Sequence, residues 1–418
     1  MKIALIQPPM DRLIDPTLYP PTGLLYIAAA VEKLTYTHSV SVMNLGADTI
    51  DEAVSKLSDF DVVGVSIVSP YWNSALELAR RCKKLVVAGG PHVSADVTGV
   101  YGSGAFDSVF VGQSERSFVK FLDDVECGTH HRVYESIAGP IDELPMPKIE
   151  WGHGDRGVVI LSSRGCVNRC AFCASHVCFN KIQLHSPERV LAEVDRIVEA
   201  GKVSFRFLDD MFAISTARLE KICAGLKERN VDWSCHTRVD RVSDKIVKMM
   251  KDAGCYEMGL GVESFDQRVL DACDKGTTVK QNLDAIRIIA EHGIDAHVYM
   301  MIGTPGETAG TAALNMLGLE ATKSHFKRLQ FSTFMPFPGS DTWVHPEDYG
   351  IKIVDKDFCS YTQHQYEKDG DSVKETPLWS PIRIDGLSHE LQMDNLKTMR
   401  DYIDHLKAFR SKRIPLDG

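Results

Sequence analysis

Three cysteines stand close together at 166, 170 and 173, in the segment Ser163-Arg164-Gly165-Cys166-Val167-Asn168-Arg169-Cys170-Ala171-Phe172-Cys173. Thiolates in so tight a loop converge on one soft metal centre, and that chemistry suits iron–sulfur clusters and zinc. A structural zinc site closes on four ligands, and Cys178 stands near enough in sequence to supply the fourth. Three cysteines alone would leave one iron of a 4Fe–4S cluster open to a ligand from outside the protein. The chain carries 11 cysteines, an odd number, with no export signal in view, so disulfides are not expected. The cysteines at 82, 127, 223, 235, 255, 273 and 359 read as small core residues.

Polar residues fall at the carboxyl ends of the apolar runs that follow the loop. They are Asp209 and Asp210 after Leu208, Arg238 in Thr237-Arg238-Val239-Asp240, Glu263 and Ser264 after Gly261-Val262, and Gly303 in Met301-Ile302-Gly303-Thr304-Pro305-Gly306-Glu307. Parallel barrels build their sites at strand carboxyl ends. Two readings stand for these residues. Arg238 either grips a carboxylate ligand as a bidentate donor or pairs with Asp240. Asp210 and Glu263 either face a ligand or cap helices.

The elements that position these groups form two alternating series. In residues 1–125, strands at 2–7, 38–45, 61–69, 85–88 and 106–111 alternate with helices at 24–34, 51–57, 73–82 and 117–125. The run 61–69 (DVVGVSIVS) is apolar almost throughout, as a strand buried on both faces should be. Strict alternation implies a doubly wound, Rossmann-like parallel sheet with its ligand at the strand carboxyl ends. Residues 126–150 turn polar, with Gly139-Pro140 and Leu144-Pro145-Met146-Pro147, and read as a linker.

The second series covers residues 151–334. A strand at 158–162 feeds the cysteine loop, and Ser186-Pro187-Glu188 begins a helix with a cap, a proline and an acid. Strands follow at 203–208, 232–237, 256–261, 295–301 and 328–334, with helices at 215–229, 243–253, 279–292 and 307–322. The 279–292 helix carries Val279, Leu283, Ile286 and Ile289 at helical spacing and stops at Gly293. Six units predict a partial (β/α)6 barrel. Residues 335–418 read as a cap that shapes a substrate pocket and ends in a helix at 389–412. Phe334, Phe337, Trp343, Tyr361, His364 and Tyr366 are its candidate pocket residues.

Composition narrows the class. The length of 418 residues suits two or three domains, and 44% hydrophobic with 25% charged residues is ordinary for a globular chain. A net charge of −10 argues against unspecific binding to nucleic acid or anionic membrane. The longest apolar run, 23–31, falls far short of the roughly 20 residues of a membrane helix and reads as a buried helix. A cytoplasmic protein is expected, with no membrane and no nucleic-acid partner.

The Cys-x-x-x-Cys-x-x-Cys spacing, with Phe172 before the last cysteine, resembles the signature of the radical S-adenosylmethionine (SAM) superfamily. The resemblance implies a 4Fe–4S cluster on Cys166, Cys170 and Cys173 whose open iron is chelated by SAM. Reductive cleavage of SAM then yields a 5′-deoxyadenosyl radical. It also implies SAM contacts by Phe172, Asp209, Asp210, Arg238, Glu263, Ser264 and Gly303. The amino-terminal series resembles the cobalamin-binding module of one branch of this superfamily, through Pro20-Pro21-Thr22-Gly23-Leu24, Asp61-Val62-Val63-Gly64-Val65-Ser66, Gly89-Gly90-Pro91-His92 and Gly112-Gln113-Ser114-Glu115. Ser66, Gly89, Gly90 and His92 would then face cobalamin. Two departures stand out. The family's Asp-x-His-x-x-Gly stretch reads Gln7-Pro8-Pro9-Met10-Asp11-Arg12, without histidine, and Gly112-Gln113-Ser114-Glu115 replaces Gly-Glu-Gly-Glu.

The leading expectation is cobalamin-dependent C-methylation of an unactivated carbon in a small-molecule or peptide substrate. An external donor such as flavodoxin or ferredoxin would supply the electron. The alternative drops cobalamin, leaves the first domain a relict, and makes the enzyme a radical dehydratase, epimerase or rearrangement catalyst. A methylthiotransferase would need a second three-cysteine cluster, yet only Cys82 and Cys127 precede Cys166. A metal-stabilised binding protein would require the polar strand ends to be accidental.

Overall fold

The computed structural model describes residues 1–10, 20–34, 37–148, 158–357, 366–369, 372–375 and 379–411. The first unit alternates β1 (Lys2–Gln7), α1 (Thr22–Leu34), β2 (Ser39–Asn44), α2 (Ile50–Lys56), β3 (Val62–Ser66), α3 (Trp72–Arg81), β4 (Leu85–Gly89), α4 (Pro91–Ala95), α5 (Val97–Gly102), β5 (Ser108–Val111), α6 (Glu115–Glu126) and β6 (Val133–Glu135). The strands form one sheet in the order β2-β1-β3-β4-β5-β6, every pair parallel. The order reverses between β1 and β3, and such a reversal opens a crevice at the carboxyl ends.

Both sheet faces are covered. On one, Leu24, Leu25 and Val31 of α1 meet Phe118, Phe121 and Leu122 of α6. On the other, Ala53 and Leu57 meet Ala75 and Leu78 of α3. α2 begins with a reciprocal cap between Thr49 and Glu52.

The polar stretch 126–150 is not a bare linker. It supplies β6, which runs parallel to β5 and completes the sheet. Its anchor is Tyr134, buried and stacked on Phe110 at 5.1 Å. Val133 and Glu135 flank it in the open, so a three-residue strand with one inward side chain gives no readable alternation. The short helices α4 and α5 also went unread, because Gly89-Gly90-Pro91 reads as a turn.

The second unit runs β7 (Val158–Ile160), β8 (Ser163–Arg164), α7 (Ser175–Cys178), β9 (Gln183–Leu184), α8 (Pro187–Glu199), β10 (Ser204–Phe207), α9 (Thr216–Arg229), β11 (Asp232–Arg238), α10 (Asp244–Asp252), β12 (Cys255–Glu263), α11 (Gln267–Ala272), α12 (Val279–Glu291), β13 (Asp295–Ile302), α13 (Thr311–Thr322) and β14 (Arg328–Thr333). Six strands pair in parallel in the order β14-β13-β12-β11-β10-β7. No pairing joins β7 to β14 among the described residues, so the barrel is partial, as the six units imply. Alternate residues turn outward into the helix-facing core: Phe205 and Phe207, Trp233 and Cys235, Met258 and Leu260, Val298 and Met300. The remaining positions face the lumen.

The tail continues with α14 (Asp341–Val344), β15 (Ile351–Ile353), the hairpin β16 (Tyr366–Asp369) and β17 (Ser372–Glu375), β18 (Ile382–Ile384) and α15 (His389–Ser411). It does more than cap. Leu396, Met399 and Ile403 of α15 enter the barrel's own core. Ile351 and Ile382 cluster with Phe334, and Phe172 of the cysteine loop packs against them. Tyr361 and His364 lie outside the described residues, as does the side chain of Tyr366. No helix among the described residues is long and apolar enough to cross a membrane.

Candidate cofactor sites

The cysteine loop is the tip of a small hairpin, because β8 and β9 pair antiparallel on either side of it. Gly165 starts the loop at φ +79°, a conformation that favours glycine. Cys170 is buried, while Cys166 and Cys173 are half-buried. Each sulfur already has an N–H or guanidinium donor beside it. Asn168 offers its backbone N and Nδ2 to Cys166 at 3.5 Å, Ser175 N reaches Cys173 at 3.5 Å, and Arg238 Nη1 reaches Cys170 at 3.3 Å. Donors aimed at sulfur stabilise thiolate and tune a cluster. Burial pushes the Cys173 thiol up to about 11 and raises Cys170 as well, so iron would have to displace their protons.

Among the described residues, no three His, Cys, Asp and Glu side chains close to single-ion spacing. Cys178 lines a cavity on the side of the first sheet. The four-cysteine zinc reading therefore finds no geometric support.

The strand-end residues divide into two groups. Asp209 is 1% exposed and accepts from Ser162 N at 2.7 Å, Ser162 Oγ at 2.6 Å and Ser163 Oγ at 2.5 Å. It clamps the strand that feeds the cysteine loop. Ser264 is also buried; its hydroxyl donates to Asn315 Oδ1 at 2.9 Å and accepts from Asp266 N at 3.1 Å. The guanidinium of Arg238 donates to Asp240 at 3.0 Å, the Lys275 carbonyl at 2.6 Å and Cys170 Sγ at 3.3 Å, and so braces the loop. Gly303 N donates to Glu307 Oε1 at 2.6 Å, and Gly303 itself is buried at φ +76°. Asp210 is exposed and accepts from Ser175, just past the third cysteine.

Glu263 stays beside the loop, in the left-handed region at φ +62°, where β12 bulges against β13. Its Oε1 accepts from Lys275 Nζ at 2.7 Å, and that ammonium stands 5.6 Å over the Phe172 ring. Lys275 is 5% exposed and was not singled out from sequence. The signal for it was a lysine in Cys273-Asp274-Lys275-Gly276, in the turn that follows α11 (Gln267–Ala272).

The cavity, of about 390 Å³, opens where the first sheet meets the barrel. Ser66, Gly89 and Gly112 line it from strand carboxyl ends, and Gly64, Val87 and Phe110 continue it as an apolar slot. Leu161, Arg164 and Leu208 close it from the barrel side. Such a lining, mostly apolar with few polar groups, is that of a cofactor pocket. Gly89 leaves room: a Cβ there would come no closer than 3.6 Å to Phe110 Cβ. Gly90 has a backbone reason, because a Cβ at its φ of +100° would sit 2.9 Å from Ile67 N and O.

His92 is turned away from this cavity. It is 1% exposed, its Nδ1 lies 3.0 Å from Ser69 Oγ, and its ring packs 5.0 Å from Trp72. Burial lowers its pKa to about 4 and keeps the ring neutral. Among the described residues no histidine lines the cavity, so none offers cobalt an imidazole there.

Across the cavity wall, Arg164 pairs with Glu115 at 2.7 Å and donates to Gln113 Oε1 at 2.9 Å. Its Nε is buried without a hydrogen-bond partner. A polar atom left over in an apolar slot fits a ligand that brings its own acceptors.

Comparison with known proteins agrees with this geometry. A model of the radical SAM superfamily matches residues 160–314, and a model of the B12 binding domain matches residues 16–122. An uncharacterized methyltransferase, PH0819, of Pyrococcus horikoshii is 30% identical over 82% of this chain and 83% of its own. The anaerobic magnesium-protoporphyrin IX monomethyl ester cyclase of Rubrivivax gelatinosus is 23% identical over 82% of this chain and 68% of its own. In fold, the chain is similar to the radical SAM methyltransferase TsrM of Kitasatospora setae, solved with cobalamin and a [4Fe-4S] cluster. The TM-score is 0.68 at 16% identity, over 84% of this chain and 80% of that one.

The chain therefore belongs to the radical SAM superfamily, in the branch that carries a B12-binding domain. It is an enzyme whose cofactors are a 4Fe–4S cluster, SAM and cobalamin.

Proposed function

We propose that the enzyme transfers a methyl group to an unactivated carbon of a small molecule. Cys166, Cys170 and Cys173 hold the cluster in this reading, and cobalamin occupies the cavity above Arg164. When bound, the cluster passes one electron to SAM, and cobalamin carries the methyl group. One observation carries the reading. Arg164, which walls the cavity, is separated from Cys166 by Gly165 alone, so both cofactor sites share one loop.

The residues around the loop have positioning work. Asp209 fixes the incoming strand, and Arg238 holds Cys170 through its sulfur. Lys275 and Glu263 set a paired charge beside Phe172, where the carboxylate and amino groups of SAM need opposite partners. The tail covers the loop directly, with Thr342 N donating to Ala171 O at 3.1 Å, and keeps water out. PH0819 is named a methyltransferase, which supports the same reaction class here. Flavodoxin or ferredoxin in the cytoplasm is the electron source in this reading.

Anaerobic reconstitution with iron and sulfide, followed by visible spectra with and without hydroxocobalamin, tests the proposal. The expected result is one cluster and one cobalamin per chain, with 5′-deoxyadenosine formed under dithionite. The triple variant C166A/C170A/C173A should retain cobalamin and lose iron. Full iron content in that variant would end the reading.

A further inference from the structure

The hairpin that carries the cysteines lines the cavity at both of its ends. Arg164 stands where the chain enters the loop, Cys178 and Phe179 where it leaves, and Cys166, Cys170 and Cys173 lie between them. The two ends touch. A Cβ on Gly165 would lie 3.0 Å from Phe179 Cβ and 3.4 Å from the carbonyl oxygens of Phe179 and Lys181. A ligand that fills the cavity therefore meets both arms of the loop.

From the first unit, the turn between β5 and α6 reaches across to the same hairpin. Gln113 and Glu115 line the cavity on that side. Gln113 Oε1 accepts from Arg164 Nη1 at 2.9 Å, and its Nε2 donates to Gln183 Oε1 at 2.5 Å. Arg164 lies on β8 and Gln183 opposite it on β9, as the antiparallel register pairs them. One amide thus ties both strands of the hairpin to the first sheet. A guanidinium offers only donors, so the Gln113 carbonyl must face Arg164, and its NH2 group is left for Gln183. Glu115 supplies the matching charge, 2.7 Å from Arg164 Nη1. Gln183 stands outside the cavity wall. In this arrangement Arg164 Nε is buried without a hydrogen-bond partner, in a side chain 4% exposed. An orphaned buried donor is costly, and a ligand that brings an acceptor into the cavity removes that cost. It does so only while the hairpin holds Arg164 at the wall. Filling the cavity therefore favours one placement of the hairpin. Gly165 alone separates Arg164 from Cys166, so the placement of one sets that of the other.

We propose that Gln113 and Gln183 are positioning residues that couple the two cofactor sites. Cobalamin in the cavity and the cluster on the loop then each tighten the binding of the other. Linkage makes the effect reciprocal, and a coupling of about tenfold is expected. Gln183 acts through Gln113 and Arg164, since it touches the cavity only by way of them. The inference rests on the placement of the two cofactors proposed above and not on methyl transfer.

The test uses the full-length chain without oxygen, either reconstituted with iron and sulfide or left iron-free. Hydroxocobalamin is titrated into each form and followed by absorbance. Wild type should bind it about tenfold more tightly with the cluster in place. In Q183L the two affinities should converge to within about twofold, because leucine removes the acceptor for Gln113 and leaves the cavity lining alone. Q183E keeps that acceptor and should keep most of the difference. A side chain that only stabilises the fold would shift both affinities, or the urea midpoint, and leave their ratio at the wild-type value. That outcome in Q183L, or a wild-type ratio near one, overturns the proposal. A wild-type chain that takes up only one of iron and hydroxocobalamin overturns the placement of the cofactors together with their coupling. Full loading of both with a ratio near one overturns the coupling alone.

Discussion

Replacing Arg164 with methionine removes the cation from a pair that joins the two units of the chain. The structure sets the size of the effect. Arg164 and Glu115 meet at 2.7 Å with side chains only 4% and 8% exposed, so solvent screens them little. Methionine keeps most of the volume against the Tyr26 ring, over which the guanidinium lies at 5.0 Å, but leaves a buried carboxylate with no cation. Breaking a buried pair in this way costs about 3–5 kcal/mol, a large share of the roughly 5–15 kcal/mol that holds a domain folded. Replacing both partners with apolar residues of similar size removes the uncompensated charge. R164M/E115L should therefore be more stable than R164M by at least about 2 kcal/mol. Urea denaturation of the apo protein, followed by circular dichroism at the first transition, supplies the double-mutant cycle. Hydroxocobalamin affinity should fall in R164M at the same time, because Arg164 walls the cavity. A loss below about 1 kcal/mol in R164M, the size of an exposed pair, would refute the claim that this contact is a dry joint between the units.

Asp209→Ala strips the acceptor from three buried donors at Ser162 and Ser163. It should cost several times the ~1–3 kcal/mol of one unsatisfied group, and iron incorporation, read by absorbance, should fall with it. Gly259→Ala forces its Cβ into His236 and Tyr299 and should cost about 1–3 kcal/mol in a urea melt. Stability should also depend on pH. His92, His185, His236 and His297 are pushed down to about 4, chiefly by burial, so the unfolded chain binds more protons than the native one between about pH 4 and 6.5. Their contribution is complete above about 6.5 and is lost as pH falls. Glu193 and Glu307, raised by burial to about 7, act in the opposite sense from about 4.5 upward. With four groups against two, the melting temperature should climb from about pH 4.5 to 6.5 and decline gently toward 7 and above, as calorimetry would show.

Much of the fold was legible because parallel strands buried on both faces announce themselves. Val62–Ser66 and Leu85–Gly89 have no polar face to hide them, and the helices between them carry caps such as Thr49 and Ser186. What escaped was short or held from a distance. β6 hangs on a single tyrosine, and α15 joins the barrel core through Leu396, Met399 and Ile403, whose partners lie far away in sequence. Local pattern cannot report a contact whose other half is so distant.

The site was legible in its cysteines and less so in its polar strand ends, for a physical reason. A strand's carboxyl end must both meet a ligand and anchor the loop that follows, and the same residue types do both. Asp209, Ser264 and Arg238 each anchor a neighbouring segment through buried hydrogen bonds. The parity of the strands held a better signal. In β11, Trp233 and Cys235 alternate with Ser234, His236 and Arg238; in β13, Ala296, Val298 and Met300 alternate with His297, Tyr299 and Met301. A barrel interior meant only to be filled stacks branched aliphatic side chains in layers. Here the inward positions carry Arg206, His236, Glu257 and Tyr299 instead. Groups of that polarity are costly to seal in a dry core, so the lumen must be met by water or by a polar guest.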